Sequence, residues 1–311
     1  MDEIQDQDSD ASDDLPIATA TRSVNDLLGN KLFDDWGVGV HYDLPEDVYH
    51  EIPAVSNTAL KQARRSFRHF QYYVEGGEYL ETPSMVFGRI SHRALLEHEK
   101  FKQTCIFSEF KDKKSKGYKD LVKKNPDHTV LTTKETNQLT AMFNELARSE
   151  ACMELIKDGK PEVTILAIDP VTKLLLKGRI DLVSPRPFIL DYKTTEDAKP
   201  TVIPEKLDAE KYVRSSKFEV NANAMGYEHQ AAFYLFLSAL AGLDKKFFAV
   251  VAQEKKQPFV PCPYIYGFET LEEASEENRN MLNRIKDAIE LNKFPGYADK
   301  PVVLARPSYA R

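Results

Sequence analysis

Cysteine is scarce in this 311-residue sequence: Cys105, Cys152 and Cys262 are widely spaced, and none belongs to a C-x-x-C pair. That excludes a zinc ribbon and a four-cysteine iron–sulfur site. Three free thiols in a chain of this size suit a reducing cytoplasm. Long apolar runs are also missing, and none approaches the roughly 20 residues of a membrane span. The N-terminus lacks the basic-then-apolar pattern of a signal peptide. Residues 1–14 contain no Lys or Arg but seven acids: Asp2, Glu3, Asp6, Asp8, Asp10, Asp13 and Asp14. Set apart from them, the remaining acids equal the 42 basic residues, so the net charge of −7 belongs to this head. Few apolar residues accompany it, so residues 1–30 read as a disordered acidic tail and linker. Residues 31–311 read as a single soluble, cytoplasmic domain without membrane association, and the 42% hydrophobic content suffices for a core. There is one tryptophan, Trp36, and no internal repeat is visible.

What is present centres on Gly178 to Asp197, GRIDLVSPRPFILDYKTTED. It reads as two strands, Lys173 to Val183 and Pro187 to Lys193, joined by a Pro-containing turn. Alternation puts Asp191 and Lys193 on one face, and Asp181 at the end of the paired strand can approach it. Carboxylates so placed suit a hard cation such as Mg²⁺ or Mn²⁺. A lysine beside the cation can orient water or offset charge developing on a phosphate. The plainer reading is a surface hairpin with an Asp191–Lys193 salt bridge. A further strand, Glu162 to Asp169, precedes them, and Glu162 at its start is a possible third carboxylate.

The flanking pattern is helical. Pro53 to Val74 predicts one helix capped at Ser56 or Asn57, with Leu60, Ala63, Phe67 and Phe70 on its apolar face. Lys61, Arg64, Arg65 and Arg68 form a basic face, either solvated or gripping phosphates. Ser84 to Glu97 predicts a second helix carrying Arg89 and His92, with Gly88 in mid-helix at a cost of about 1 kcal/mol against alanine. Phe110 to Lys124 holds seven lysines, among them Lys113, Lys114 and Lys116, and two aspartates. It reads as a solvated loop or a flexible basic strip for nucleic acid. A capping box, Thr132 with Glu135, opens a helix through Ile156. Ala222 to Leu240 predicts a buried helix with Gln230 and Tyr234 one turn apart. Lys246 to Ala252 and Cys262 to Phe268 read as strands, and Leu271 to Leu291 as a charged amphipathic helix.

The order helix, three strands, helix, strand (αβββαβ), with acids on the second and third strands, resembles the α/β core of the PD-(D/E)xK nuclease superfamily. That core is a mixed central sheet flanked by helices, here with extra N- and C-terminal helices. Within the superfamily the chain looks like the RecE-type exonucleases (exodeoxyribonuclease VIII nuclease domain) of phages and prophages. The likeness rests on SNTALKQAR, GRISHRALLEHEKF, GRID, ILDYKTTED and YEHQAAFY, over about Val40 to Tyr297. It implies metal ligation by Asp181, Asp191 and the Tyr192 carbonyl, with His92 at the metal and Glu162 assisting. It implies a water-activating Lys193, and Gln230 and Tyr234 supporting the phosphate or the lysine. It also implies an Mg²⁺-dependent exodeoxyribonuclease, with Mn²⁺ able to substitute, that digests linear duplex DNA from an end, 5′ to 3′. Such an enzyme would leave 3′ single strands for recombination, as a homo-oligomer (a tetramer) working with a single-strand annealing recombinase.

Two alternatives remain from the sequence. One is a PD-(D/E)xK endonuclease. The other is a DNA-binding or partner-docking module that kept the fold without catalysis.

Overall fold

The structure is a computed structural model that describes residues 23–27, 36–77, 82–201 and 215–304. The acidic residues 1–14, most of the 1–30 segment and residues 202–214 lie outside the described residues. Val24–Leu27, within the stretch read as tail and linker, forms a 3₁₀ turn whose Val24 and Leu27 are buried in the main core.

Along the chain come strand β1 (Gly39–His41) and helices α1 (Glu46–Glu51), α2 (Asn57–Arg65), α3 (Phe67–Val74), α4 (Pro83–Leu96) and α5 (His98–Thr104). A small unit follows: β2 (Cys105–Phe107), α6 (Lys116–Lys124) and β3 (Thr129–Leu131), then α7 (Thr133–Ala147) and α8 (Glu150–Ile156). The core then runs β4 (Lys160–Ile168), β5 (Leu175–Val183), β6 (Phe188–Thr195), α9 (Lys217–Met225), α10 (Tyr227–Leu240), β7 (Phe247–Glu254), β8 (Pro261–Ile265) and α11 (Phe268–Glu290).

The main sheet has the order β1-β4-β5-β6-β7-β8. Its pairs are antiparallel except β6–β7, which is parallel, as the α9–α10 crossover requires. The expected order of three strands, helix and strand is therefore present, on an α/β sheet covered on both faces. Neighbouring residues of β6 take opposite sides. Ile189 joins a core with residues of α2, α10 and α11, while Leu190 joins Leu146 of α7 and Cys152 of α8. β2 and β3 pair in parallel as a separate two-stranded sheet.

Several expected helices are broken by residues that prefer caps to helix interiors. Ser66 splits the predicted Pro53–Val74 helix: it is extended (φ −172°, ψ 158°), and its hydroxyl accepts from the His69 amide. Ser149 splits Thr132–Ile156 in the same way, accepting from Cys152 N. Gly226, left-handed at φ 69°, separates α9 from α10. The capping box of Thr132 and Glu135 is present as expected. The second half of the lysine-rich stretch is the helix α6 rather than a loop; Tyr118 is buried and its hydroxyl donates to Val130 O.

Gly178 explains how α10 reaches the sheet. A Cβ there would meet Leu237 Cδ1 at 2.5 Å and the Tyr234 ring at 3.1 Å. Only a glycine lets α10 lie this close, which fixes the height of Gln230 and Tyr234 above the strands. Gly88 is different: an added Cβ would find only Thr194 Oγ1, at 3.5 Å, which is ordinary contact.

Candidate metal centre

The antiparallel registers align three acids. In β4–β5, Pro161 pairs with Leu182 and Val163 with Ile180, so Glu162 faces Asp181. In β5–β6 the ladder holds Val183–Ile189 and Leu182–Leu190 and ends there, so the next position sets Asp181 opposite Asp191. Glu162, Asp181 and Asp191 thus lie in one row across three strands, at positions where the backbone pairing opens. Glu162 adopts φ 51°, a conformation that a non-glycine residue holds only when its surroundings impose it. Where a ladder bond would sit, the Tyr192 amide donates to Asp181 Oδ2 at 2.9 Å.

α4 brings His92 over this row, with Nδ1 3.1 Å from Asp181 Oδ2 and its ring edge-on to Tyr192. Ligand atoms of His92, Glu162 and Asp181 all lie within 4.8 Å of one another. From the other side, Gln230 of α10 donates to Asp191 Oδ1 at 2.9 Å, and Lys193 Nζ stands 2.6 Å from Asp191 Oδ2. That oxygen is buried and, apart from this ion pair, has no well-directed hydrogen bond. The lysine ammonium also rests 4.8 Å above the Tyr227 ring.

Electrostatics mark the row as crowded with negative charge. Burial and then the Asp181 charge push Asp191 up to about 6, and the same two causes push Glu162 up to about 8. Lys193 is held charged well above its ordinary range: Asp191 and Asp181 overcome its desolvation. Burial also raises the Tyr234 hydroxyl, which interacts with Gln230. Imidazole and carboxylate donors, a buried carboxylate oxygen lacking a directed donor, and acids that repel one another fit a hard divalent cation. His92, Glu162, Asp181 and Asp191 are the residues that could hold it.

A cleft of about 500 Å³ opens over this row and is lined by Arg89, His92, Glu162, Asp181 and Tyr234, with α1 as one wall. β5 holds that wall. Buried Lys177 donates to Tyr49 O (2.7 Å) and Ile52 O (2.8 Å), and Arg179 donates to Leu44 O (2.7 Å). α1 in turn pairs Glu46 with Arg93, beside His92, at 2.6 Å. Sequence reading missed Tyr227, Glu46, Arg179 and Lys177. Only the Gly226–Tyr227 break carried a signal, as a helix boundary.

The expected residues separate into two groups. His92, Glu162, Asp181, Asp191, Tyr192, Lys193, Gln230 and Tyr234 come together, with Arg89 on the cleft wall. Gln230 holds Asp191 rather than Lys193. Lys61 lies near the site: its charge is disfavoured first by burial and then by Lys193, and its Nζ is 3.8 Å from Met225 Sδ. Arg64 does not belong to a free basic face. It turns inward to hydrogen-bond Asn278 of α11, and burial lowers its pKa. Arg65 and Arg68 are exposed and bond to the side chains of Gln62 and Gln71 on their own helices. Lys113 pairs with Glu135 at 2.8 Å, while Lys114 and Lys116 are exposed. These last five do not line the cleft.

The fold has solved relatives. The crystal structure of a "Putative exonuclease" from Eubacterium rectale matches at TM-score 0.54 and 15% identity, over 85% of this chain and 97% of its own. SSO0001 matches at TM-score 0.25 and 12% identity, over 73% of this chain and 87% of its own, too remote to bear on the fold. No curated protein matches the sequence. Residues 56–305 match the family model described as a PDDEXK-like domain of unknown function (DUF3799). With most of the chain matched and the three-strand, helix, strand core in place, this protein belongs to that PDDEXK-like family and has its nuclease fold.

Proposed function

We propose that the protein is a divalent-metal-dependent exodeoxyribonuclease that hydrolyses phosphodiester bonds at the ends of linear duplex DNA. The observation that carries this reading is the in-register row Glu162–Asp181–Asp191, with Lys193 at its Asp191 end and His92 over Asp181. A cation bound there would lower the pKa of a water and draw charge from the phosphate oxygens. Lys193 is oriented by Asp191 and Tyr227, so its ammonium is fixed where negative charge develops and where an attacking water can be hydrogen-bonded. Gln230 keeps Asp191 from rotating. The cleft above the row admits a phosphate from one side, past Arg89.

Digestion from an end is also what the name of the Eubacterium rectale relative suggests for that protein. By the RecE-type likeness, we extend the proposal to 5′-to-3′ polarity, 3′ single-stranded products, a tetrameric assembly and an annealing recombinase as partner.

The test uses linear duplex DNA labelled at one 5′ or one 3′ end, beside closed circular DNA, with Mg²⁺ or EDTA and an Asp191→Ala control. Early Mg²⁺-dependent release of the 5′ label, absent in the variant, is the expected result. Cutting of the closed circle would make the protein an endonuclease. Intact DNA in every lane with folded protein would overturn the catalytic reading.

A further inference from the structure

Behind the catalytic row, on the side of β6 that carries Tyr192, lies a second feature. A groove of about 780 Å³ is formed by α7, the β7–β8 turn and the loop before α6. Four lysines line it: Lys111 from the loop, Lys134 from α7, and Lys255 and Lys256 from the turn. Among the described residues, no Asp or Glu lines it. Glu196 stands at the edge and pairs with Lys255 (3.3 Å) and Lys256 (2.6 Å). Lys111 and Lys134 have no acidic partner among the described residues. Three separate segments therefore converge on one positively charged concavity in a chain whose total charge is negative.

The groove is built rather than incidental. Gln138 Nε2 of α7 donates to Lys255 O at 2.7 Å, and Lys255 Nζ reaches Ser84 Oγ of α4 at 2.8 Å. Phe259, buried and left-handed at φ 66°, lines the groove and is held by Gln253 Nε2 donating to its carbonyl. A bulky residue keeps such a backbone only under constraint. Gln253 is itself completely buried. It also donates to Met142 O at 2.6 Å and accepts from the Tyr192 hydroxyl at 2.6 Å. Tyr192 N–H in turn holds Asp181. A continuous hydrogen-bonded chain, Asp181–Tyr192–Gln253–Phe259, thus ties the carboxylate row to the lysine-bearing turn. The two are close: Lys255 N bonds Thr195 O, two residues beyond Lys193, or about 7 Å along the strand.

We propose that this groove is a subsite for the sugar-phosphate backbone of a nucleic-acid strand, holding phosphates a few positions away from the one at the carboxylate row. The proposal rests on the nuclease reading. A duplex strand presents a phosphate about every 3.4 Å of axis, so a strand passing the catalytic row brings further phosphates within reach of the lysines. Their role is sequence-independent grip, and the fixed turn sets its distance from the reacting phosphate.

The test compares Lys111→Ala/Lys134→Ala/Lys256→Ala with Lys157→Ala/Lys173→Ala/Lys293→Ala. The control removes equal charge from exposed positions outside the groove lining. All three groove positions are exposed as well, so folding should survive; melting curves check it. Both sets are made in full-length Asp191→Asn protein. Binding to a short fluorescein-labelled duplex DNA is followed by anisotropy in EDTA, against KCl concentration. The groove variant should bind about 10-fold more weakly at 0.1 M salt, with a log–log salt slope shallower by about 2, while the control shifts affinity less than about 2-fold. Equal effects of the two sets, or no binding by the Asp191→Asn parent at low salt, overturn the subsite. Cleavage is assayed separately with Asp191 intact. Cleavage without a specific groove effect sinks the subsite alone, whereas a groove effect without cleavage leaves the subsite standing and sinks the nuclease reading.

Discussion

Two buried aspartates, Asp169 in the β4–β5 turn and Asp191 on β6, face opposite circumstances. Asp169, 0% exposed, closes the turn between the strands. It accepts two bonds from Arg279 (2.6 and 3.0 Å) and two from Thr172, N–H at 3.1 Å and hydroxyl at 2.5 Å. These partners outweigh its burial and hold its pKa below the usual carboxylate range. Asp191, 2% exposed, has Gln230 and Lys193 but also the neighbouring charge of Asp181, and its pKa rises. Neither is open to solvent and each has a cationic partner. They differ in depth, in how completely the oxygens are satisfied and in whether another acid stands beside them. The satisfied aspartate ties the hairpin to α11; the other is left with capacity for a ligand.

The sharpest way to break this contrast is Asp191→Asn. We expect DNA hydrolysis to fall by about 10²- to 10³-fold, the range seen when a catalytic electrostatic group is removed. Thermal stability should change by less than about 1 kcal/mol, because relief of the crowding with Asp181 is offset by the loss of the Lys193 ion pair. A clear loss of stability would make Asp191 another Asp169. Next, Arg279→Ala should destabilise by about 3 kcal/mol in urea unfolding, since Asp169 would be left buried and unpaired. Cleavage per folded molecule should change little.

The pH dependence separates the two more finely. Asp169, with its folded pKa depressed, adds stability above its unfolded value near 4, and that contribution is lost as pH falls. Glu162 and Asp191 have raised folded values of about 8 and 6, so the folded state binds more protons than the unfolded one. Their contribution is therefore lost as pH rises from about 4 to about 8. In EDTA, melting temperature should decline through this window, and Glu162→Gln should flatten the upper part. A decline of equal size in the variant would show that Glu162 is not the cause. The smallest effect belongs to Thr172→Val, which removes one of five bonds to the Asp169 carboxylate, the fifth coming from the Val171 amide. About 1 kcal/mol should be lost in urea unfolding, with no effect on hydrolysis.

Much of the architecture was legible because strand alternation and helix period are local. Asp181, Asp191 and Lys193 could be placed from the order of strands, and Thr132 with Glu135 gave its helix start directly. The Glu162–Asp181–Asp191 alignment was only half legible, since register is fixed by pairing, not by sequence distance. Helix breaks at Ser66 and Ser149 were missed because apolar spacing continues through both. Arg64 and Lys61 look alike on a helical wheel; Asn278, 214 positions away from Arg64, decides that Arg64 turns inward. Gly88 stands out in the sequence as a mid-helix glycine, yet the close packing is at Gly178, and only the position of Leu237 shows it. Glu46 and Gln253 carry no local mark at all, because each acts on a residue far along the chain.

Tyr192 joins the core to the carboxylate row. Its side chain is completely buried in the core, and its amide holds Asp181 where the ladder has ended. The carboxylate is therefore set in place by the same event that docks β6 into the protein, with no separate loop left to order afterwards. Metal uptake by such a site should be as fast as the ion sheds its water. The Tyr192 amide should exchange its hydrogen as slowly as the interior strands do, with or without the ion.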